Sequence, residues 1–479
     1  MASEGRAQNG DWASRTVSCG ARELHDWVGP ARFGGYIKNM NPVVIIGGGP
    51  AGSVFGAILA NEGIPVVLFE RGSHPRHHVG ESLQPATIDI LDEHLGIRSA
   101  IAAEDFALKY GAVYVWGETD EPWSILFDER LERDAENITE AELLAGDYER
   151  AWQVRRSRFD EIIFNAARAR GVEAHTNCGV AKVLFEGERA VGVLLEDGRR
   201  IDASMVVDAS GQRCMIGRHL GLIEPAEDLK SIAMYSYFRG AGGLPAPLCR
   251  HAQLITAIPE GWLWFIPISA DVTSIGLVTR DRRQYTEAEF RALLERSPVP
   301  LDNGEYCEVD GVRGLQVVRD WSYSAQTYHG PGHILVGDAA CFVDPILAGG
   351  VDFAIRGAAN AAVAVMEALT GNADALNRYS ETMRKDYQAW LRMARYWYGN
   401  NRSVDGFFWE AHQLVQRGSV STPLRAFVYL TSGHYAADAH FKVFQEWQEK
   451  KMFQALGVNH GELKSALAQR RGGAAPRTK

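Results

Sequence analysis

The stretch PVVIIGGGPAGSVFGAILANEGIPVVLFE (42–70) decides the fold of this 479-residue chain. Two continuous apolar runs, VVIIG (43–47) and IPVVLFE (64–70), are typical of strands buried at the centre of a parallel sheet. Between them, residues 51–61 have helical spacing. A strand, a helix and a strand in this order predict one right-handed βαβ unit.

The loop after the first strand carries Gly47, Gly49 and Gly52 in G-x-G-x-x-G register, with Ala51 just inside the helix. Gly47 permits the tight turn, Gly49 lets the backbone approach a pyrophosphate, and Gly52 permits close packing of helix on strand. The helix points free N–H groups and its positive dipole end at the phosphates. Glu70 ends the second strand, where its carboxylate accepts from ribose hydroxyls. These residues predict a site for the ADP half of a dinucleotide.

Two later segments narrow the cofactor to FAD. Gly337-Asp338 follows the apolar strand HILV (333–336), and an aspartate there binds a ribitol hydroxyl; the alternative is an ordinary helix N-cap. VVDASG (206–211) predicts a buried strand that ends in a small-residue turn beside the adenosine. Arg156 either supports the adenine or phosphate side or is a solvated charge at the start of a helix.

The overall composition argues against several classes of protein. A net charge of −10 and an isoelectric point near 5.8 leave no broad basic surface, so we expect no nucleic-acid partner. The six cysteines have no CxxC pair and no zinc spacing, so we expect reduced thiols in a cytoplasmic protein and no metal site. No apolar run approaches the roughly 18 residues of a membrane span, so none is predicted.

Changes in pattern divide the chain into parts. Residues 232–325 alternate with a period of two and are rich in aromatics, which predicts a mainly antiparallel sheet on the substrate side. The acidic, polar segment 118–150 is typical of an exposed insertion. The predicted parts are a flexible leader (1–39), an α/β FAD-binding core (40–372) that contains the substrate-side sheet, a helical C-terminal region (373–465) and a disordered tail (466–479).

Several motifs together resemble one known family. GGGPAG, GES (80–82), VVDASG and the GD pair are similar to the FAD-dependent monooxygenase superfamily with the para-hydroxybenzoate-hydroxylase-like fold. Further segments resemble the flavin-dependent halogenases, especially the branch acting on phenols, pyrroles and carrier-protein-tethered substrates. These segments are HHVGESLQPAT (77–87), LKYGAVYVWG (108–117), GWLWFIPI (261–268), RDWSYSA (319–325) and VGDAACFVDPILAGGVDFA (336–354). The resemblance implies a Rossmann-like FAD domain and further cofactor contacts from Arg71, Glu81 and Ser82.

Two signature motifs of that family occur, one of them altered. In the W-x-W-x-I-P element, Trp262 and Trp264 would keep substrate away from the reactive flavin; on composition alone they belong to a core strand. The motif F-x-x-P-x-x-S-x-G has alanine in place of its serine, and its backbone amides would hold halide near the flavin. Its residues are Phe342 on the substrate side and Pro345, Ala348, Gly349 and Gly350 around the halide. Asp352 would disfavour halide if its carboxylate faced this turn.

The resemblance also implies a catalytic lysine after the GES segment, and Lys109 is the only lysine between Lys38 and Lys182. Such a lysine hydrogen-bonds hypohalous acid or forms a chloramine, and so directs electrophilic halogen to an electron-rich ring. The alternative is a surface lysine at a strand start. The implied activity is halogenation of a small aromatic substrate, free or carrier-tethered, with O2, chloride or bromide, and FADH2 from a separate flavin reductase.

Two rival functions stay open at this point. Ala348 and Asp352 favour a hydroxylating or epoxidising monooxygenase that uses the same scaffold without halide. A flavin-dependent reductase or dehydrogenase is the other rival, since GES and the FAD elements also occur in such relatives. Oxygenated product formed without halide would identify the first rival, and turnover without O2 would identify the second.

Overall fold

The computed structural model describes residues 40–134, 138–241, 251–281, 283–297, 304–399, 403–415 and 422–455. Its strands are β1 (Val43–Ile46), β2 (Val66–Phe69), β3 (Ala107–Lys109), β4 (Gly111–Val115), β5 (Trp123–Leu126), β6 (Ala151–Gln153), β7 (Glu173–His175), β8 (Val180–Glu186), β9 (Arg189–Leu195), β10 (Arg200–Asp202), β11 (Met205–Asp208), β12 (Ile223–Pro225), β13 (Ile232–Arg239), β14 (Ala252–Ile258), β15 (Gly261–Pro267), β16 (Val272–Thr279), β17 (Glu305–Tyr306), β18 (Gln316–Arg319), β19 (Tyr323–Ala325), β20 (His329–Gly330), β21 (His333–Leu335) and β22 (Cys341–Phe342). Its helices are α1 (Pro50–Asn61), α2 (Pro85–Leu95), α3 (Arg98–Ala102), α4 (Glu129–Asp134), α5 (Glu140–Ala145), α6 (Arg156–Ala169), α7 (Met215–His219), α8 (Glu287–Leu294), α9 (Gly350–Leu369), α10 (Asp374–Tyr398), α11 (Val404–Leu414), α12 (Pro423–Thr431) and α13 (His434–Ala455). The predicted leader (1–39) and tail (466–479) lie outside the described residues.

A six-stranded sheet in the order β20-β21-β11-β1-β2-β7 carries the glycine loop. β1 pairs in parallel with both β2 and β11, with Ile46 opposite Phe69 on one side and Asp208 on the other. All of β1 and β2 is buried, as parallel strands require. Helix α1 connects the two strands, which confirms the predicted βαβ unit. The residues that follow β1, β2, β11 and β21 therefore meet at one edge of the sheet.

The predicted substrate-side sheet forms around β13, β16, β15 and β14, which pair antiparallel in that order. It extends further than the sequence pattern indicated, because β4 joins β14 in parallel and β5 then pairs antiparallel with β4. Strands β17 and β18 complete the opposite side on β13. The sheet therefore places the segment after Lys109 two strands from β15, which carries Trp262 and Trp264, with β14 between them.

The prediction that 118–150 is an exposed insertion is wrong for the apolar residues within it. Strand β5 forms the edge of the large sheet, and Ile125, Leu126, Leu131 and Leu143 are buried. A four-residue strand among acidic residues is too short to produce a visible alternation, so its burial depends on pairing with β4.

The C-terminal helices pack on the β4–β5 side of the large sheet through aromatic rings. Trp397 of α10 stacks on Phe407 of α11 at 4.3 Å between ring centroids, and Trp123 of β5 contacts Phe408 and Phe427. Within the described ranges, every helix is too short or too polar to cross a membrane. The helical region therefore packs as a wall against the β5 edge of the large sheet.

Candidate cofactor and halide site

The glycine loop has the close contacts that its motif predicts. Gly47 has φ +107°, and a Cβ there would lie 2.3 Å from the Ala209 carbonyl oxygen. A Cβ on Gly52 would lie 2.0 Å from the Gly47 carbonyl oxygen. At Gly49 a Cβ would meet only Arg76, at 3.7 Å. Gly47 and Gly52 are thus required by the fold itself, whereas Gly49 leaves the loop open on the side from which a pyrophosphate approaches.

Glu70 lies directly under this loop. Its carboxylate accepts from the backbone N–H of Gly48 at 2.8 Å and of Gly72 at 2.9 Å, and Arg76 approaches it at 3.7 Å. Burial opposes ionisation, but Arg76 and the two N–H donors outweigh it and lower the pKa of Glu70. A carboxylate has further lone pairs, so these bonds leave acceptors for ribose hydroxyls. The neighbouring Arg71 is exposed.

Buried polar atoms without partners lie where GES meets β6. Ser82 forms an antiparallel bridge with Gln153. Within the described part of the chain, neither amide atom of Gln153 nor the Ser82 hydroxyl has a hydrogen-bond partner, although both side chains are buried. Burying polar atoms without hydrogen bonds is energetically unfavourable unless a ligand supplies the missing partners. The hydroxyl groups of the ribityl chain of FAD can both donate and accept such bonds. The residues present therefore fit a flavin. Sequence reasoning missed Gln153, which stands three residues before Arg156.

Glu81 and Arg156 hold the GES segment in place. The Tyr237 hydroxyl donates to Glu81 at 2.9 Å, and burial raises the pKa of Glu81. Arg156 is buried against Asp160 at 2.8 Å and donates to the Val79 carbonyl at 2.7 Å. The interpretation of Arg156 as a solvated charge is therefore wrong. The predicted cofactor contacts of Glu81 and Arg156 remain predictions.

Asp338 is not an ordinary helix N-cap. It lies inside the short 3₁₀ turn Gly337–Ala339, whose N-cap is Val336 and makes no side-chain bond. Burial raises the pKa of Asp338 to about 6, against the lowering effect of the Arg156 charge. A Cβ on Gly337 would lie 3.0 Å from Ala51 and 3.3 Å from Ala354. The turn is therefore pressed between the starts of α1 and α9, near the glycine loop.

Residues 345–350, which we call the halide turn, join a 3₁₀ turn to the start of α9. Ala348 adopts φ +52°, a left-handed conformation that is uncommon for alanine. A Cβ on Gly349 would lie 2.4 Å from the Trp390 ring, and one on Gly350 would lie 2.7 Å from the Phe342 ring. The first N–H groups of the 20-residue helix α9 have no intrahelical partner. Small residues and unpaired N–H groups together are suited to an anion.

The carboxylate of Asp352 has its own partners. Thr87 donates to one oxygen at 3.1 Å and Arg356 to the other at 3.3 Å. Arg356 is fully buried and also donates to Asp386 at 2.6 Å. Both carboxylate oxygens of Asp352 are therefore engaged, by Thr87 and by a guanidinium shared with Asp386, which weakens the reason for expecting Asp352 to disfavour halide.

Trp262 and Trp264 lie on one face of β15, packed in the same apolar cluster as the cofactor sheet. Leu263 and Phe265, on the other face, belong to a second cluster. The Trp264 N–H donates to Ser274 at 3.2 Å, and the Trp262 N–H donates to the Tyr398 hydroxyl at 2.8 Å. Both tryptophans are thus core residues on the side that faces the cofactor domain.

Lys109 is not a surface lysine. Its side chain is 2% exposed, its Nζ donates to the Leu83 carbonyl at 2.8 Å, and it lies 5.2 Å from the Phe127 ring centroid. Burial lowers the pKa of Lys109 to about 7. A small cavity adjoins it, and Leu347 of the halide turn lines the same cavity. The other lining residues are Ala112, Tyr114, Ile125, Phe127, Gln253 and Thr431.

Comparisons with known proteins agree on one family. The family model for tryptophan halogenases matches residues 42–139 and 130–469. The chain is 31% identical over 398 residues to a tryptophan 2-halogenase from Chondromyces crocatus, covering 79% of this chain and 72% of that protein. It is 31% identical over 381 residues to a pyrrole-2-carbonyl peptidyl-carrier-protein chlorinase from Pseudomonas fluorescens, covering 75% and 84%. The structure of the myxobacterial chondrochloren halogenase CndH, an FAD-dependent enzyme, matches with a TM-score of 0.68 at 30% identity, covering 83% of this chain and 90% of that one.

Proposed function

The chain belongs to the flavin-dependent halogenase family, and we propose that it transfers halogen to a phenolic or pyrrolic ring through Lys109. Members of the family use FADH2, O2 and a halide. The observation that carries the proposal is the shared cavity: Lys109 lies on one side of it, and Leu347 of the halide turn lies on another.

When bound, the reduced flavin would activate O2, which supplies the oxidising power to convert halide to hypohalous acid. The chain's own contribution begins with binding: the glycine loop and the start of α1 would hold the pyrophosphate, and Gln153 and Ser82 would contact the ribityl chain. The halide turn holds the anion with backbone N–H groups. Aromatic and aliphatic walls around Lys109 exclude water, which would otherwise consume the oxidant.

Lys109 acts as a neutral amine. Because burial lowers the pKa of Lys109 to about 7, a large fraction of the amine has a lone pair at neutral pH. The amine and hypohalous acid form an N–halogen bond and release water, and the ring then takes the halogen while its proton leaves. The Leu83 carbonyl orients Nζ through the 2.8 Å hydrogen bond.

We also propose a separate flavin reductase as partner, an aromatic substrate that is either free or tethered to a carrier protein, and a cytoplasmic location for the enzyme. The chlorinase relative is named for a pyrrole on a peptidyl-carrier protein. The described cysteines Cys178, Cys214, Cys307 and Cys341 are buried and no disulfide joins them, which fits a reducing compartment.

Mass spectrometry tests the proposed function. The chain, a flavin reductase, NADH, FAD and O2 are incubated with chloride or bromide and with a phenol or pyrrole carboxylate, either free or as a carrier-bound thioester. We expect a product with the halogen isotope pattern that disappears when halide is omitted. An oxygenated product formed equally well without halide would contradict the proposal and favour the hydroxylating alternative.

A further inference from the structure

Tyr398, at the end of α10, connects two motifs that are distant in sequence. The Trp262 N–H donates to the Tyr398 hydroxyl at 2.8 Å. That hydroxyl in turn donates to Asp344 at 2.9 Å. Strand β15 of the large sheet is thus joined by two hydrogen bonds to the residue that precedes the halide turn.

Asp344 fixes where the halide turn begins. The same Oδ1 atom that accepts from Tyr398 accepts from the Ile346 N–H at 2.9 Å and so caps the 3₁₀ turn Pro345–Leu347. The Trp321 N–H approaches the second carboxylate oxygen at 3.5 Å. Asp344 is buried, so each of these donors compensates a charge that water cannot reach.

The halide turn needs this external support. Ala348 is held at φ +52°, in the left-handed conformation that the Cβ of an L-residue disfavours. The shape of the turn is therefore determined by contacts at its ends, and Asp344 is the contact at its beginning.

We propose that Asp344 and Tyr398 are positioning residues that hold the halide turn in its anion-binding shape. Trp262 then acts on halide binding through Tyr398. This inference rests on the proposed function, since it takes residues 345–350 as the halide site. Arg280, whose guanidinium lies 4.9 Å from the Tyr398 ring centroid, adds positive charge beside the pair.

The test uses Tyr398→Phe, which removes only the hydroxyl, in the full-length enzyme loaded with FAD. Tyr387→Phe is the matched control, because Tyr387 is a buried tyrosine on the same helix. Loss of a buried hydrogen bond to a charged group is expected to raise the halide KM about tenfold, with kcat changed less than about twofold. Binding is also read directly, from the halide-induced change in the absorption spectrum of bound oxidised FAD, whose midpoint should rise by the same factor.

A second variant keeps the inference testable if Tyr398→Phe folds poorly. Trp262→Phe removes the indole N–H but retains a buried ring, and we expect its halide KM to rise severalfold in the same direction. A wild-type enzyme that halogenates while both variants keep its halide KM and its spectral midpoint would overturn the inference alone. A wild-type enzyme that neither binds halide nor makes a halogenated product would overturn the proposed function, and the inference with it.

Discussion

At the nucleotide end of the site, the glycine loop and Glu70 come from one stretch of sequence (43–70), and the Gly48 N–H donates to the Glu70 carboxylate. At the halide end, Lys109, Trp262, the halide turn and Tyr398 come from separate elements and meet only through tertiary packing. The nucleotide end is therefore specified by local sequence, and its close steric contacts make it intolerant of substitutions. The halide end is specified by long-range contacts, so its reactive residues can be replaced while the fold stays the same.

The glycine loop should show the largest effect. Gly52→Ala places a methyl group 2.0 Å from the Gly47 carbonyl oxygen, so we expect poor folding together with loss of FAD binding. Gly49→Ala meets only Arg76 at 3.7 Å, so the apoprotein should retain its thermal stability while FAD affinity falls at least about a hundredfold. Thermal unfolding and flavin fluorescence titration separate the two outcomes. Equal behaviour of the two variants would contradict the distinction between a fold glycine and a ligand glycine.

Substitution of the buried charges at the halide end should have the second-largest effect. Arg356→Met leaves Asp352 and Asp386 without their guanidinium, and we expect the free energy of unfolding to fall by about 3–5 kcal/mol. Arg395→Met breaks the exposed pair with Asp228 and should cost about 0–1 kcal/mol. Urea denaturation measures both values. A cost for Arg356→Met no larger than that of the control would show that Asp352 and Asp386 do not depend on this guanidinium.

The pH dependence of halogen transfer tests the protonation state of Lys109. With a pKa of about 7, the neutral fraction of the amine falls about tenfold between pH 8 and pH 6. We therefore expect the rate of product formation to fall by about the same factor on acidification. Release of hypohalous acid by a Lys109→Met variant over the same range controls for effects on the flavin. A rate that rises on acidification would mean that the protonated lysine, as a hydrogen-bond donor, is the active form.

The smallest effect is expected at the altered motif position. Ala348→Ser restores the hydroxyl of the family pattern without changing the left-handed backbone. Because the turn uses backbone N–H groups, we expect the halide KM to fall only about twofold to fivefold, at unchanged kcat. Steady-state kinetics at varied chloride and bromide measure this change. A fall of a hundredfold or more would mean that the hydroxyl, and not the backbone, is the main halide ligand.

The difference between the two ends also explains what the sequence could predict. The βαβ unit was predictable because Val43–Ile46 and the glycines impose a local pattern. The role of Arg156 as a buried anchor was not: its pair with Asp160 lies one turn along α6, but burial and the bond to Val79 arise only when the GES segment folds over that helix. The basic residues between Glu70 and the GES segment could have indicated a partner for the Glu70 carboxylate, and one of them, Arg76, contacts it.

The connection through Tyr398 had no local signal at all. Tyr398 lies 136 residues from Trp262 and 54 from Asp344, and no spacing rule joins them. The preceding residue, Trp397, is a buried core residue, so the local sequence around Tyr398 indicates only core packing. Single-sequence reasoning therefore finds a motif but not the contacts that position it.

The most direct test of the central claim is Lys109→Met, with the exposed Lys182→Met as its matched control. Both proteins are loaded with FAD and assayed for halogenated substrate and for hypohalous acid released to a scavenger. We predict that Lys109→Met binds FAD normally and still releases hypohalous acid, while substrate halogenation falls by a factor on the order of 10³. Halogenation at the rate of the Lys182→Met control would contradict the account.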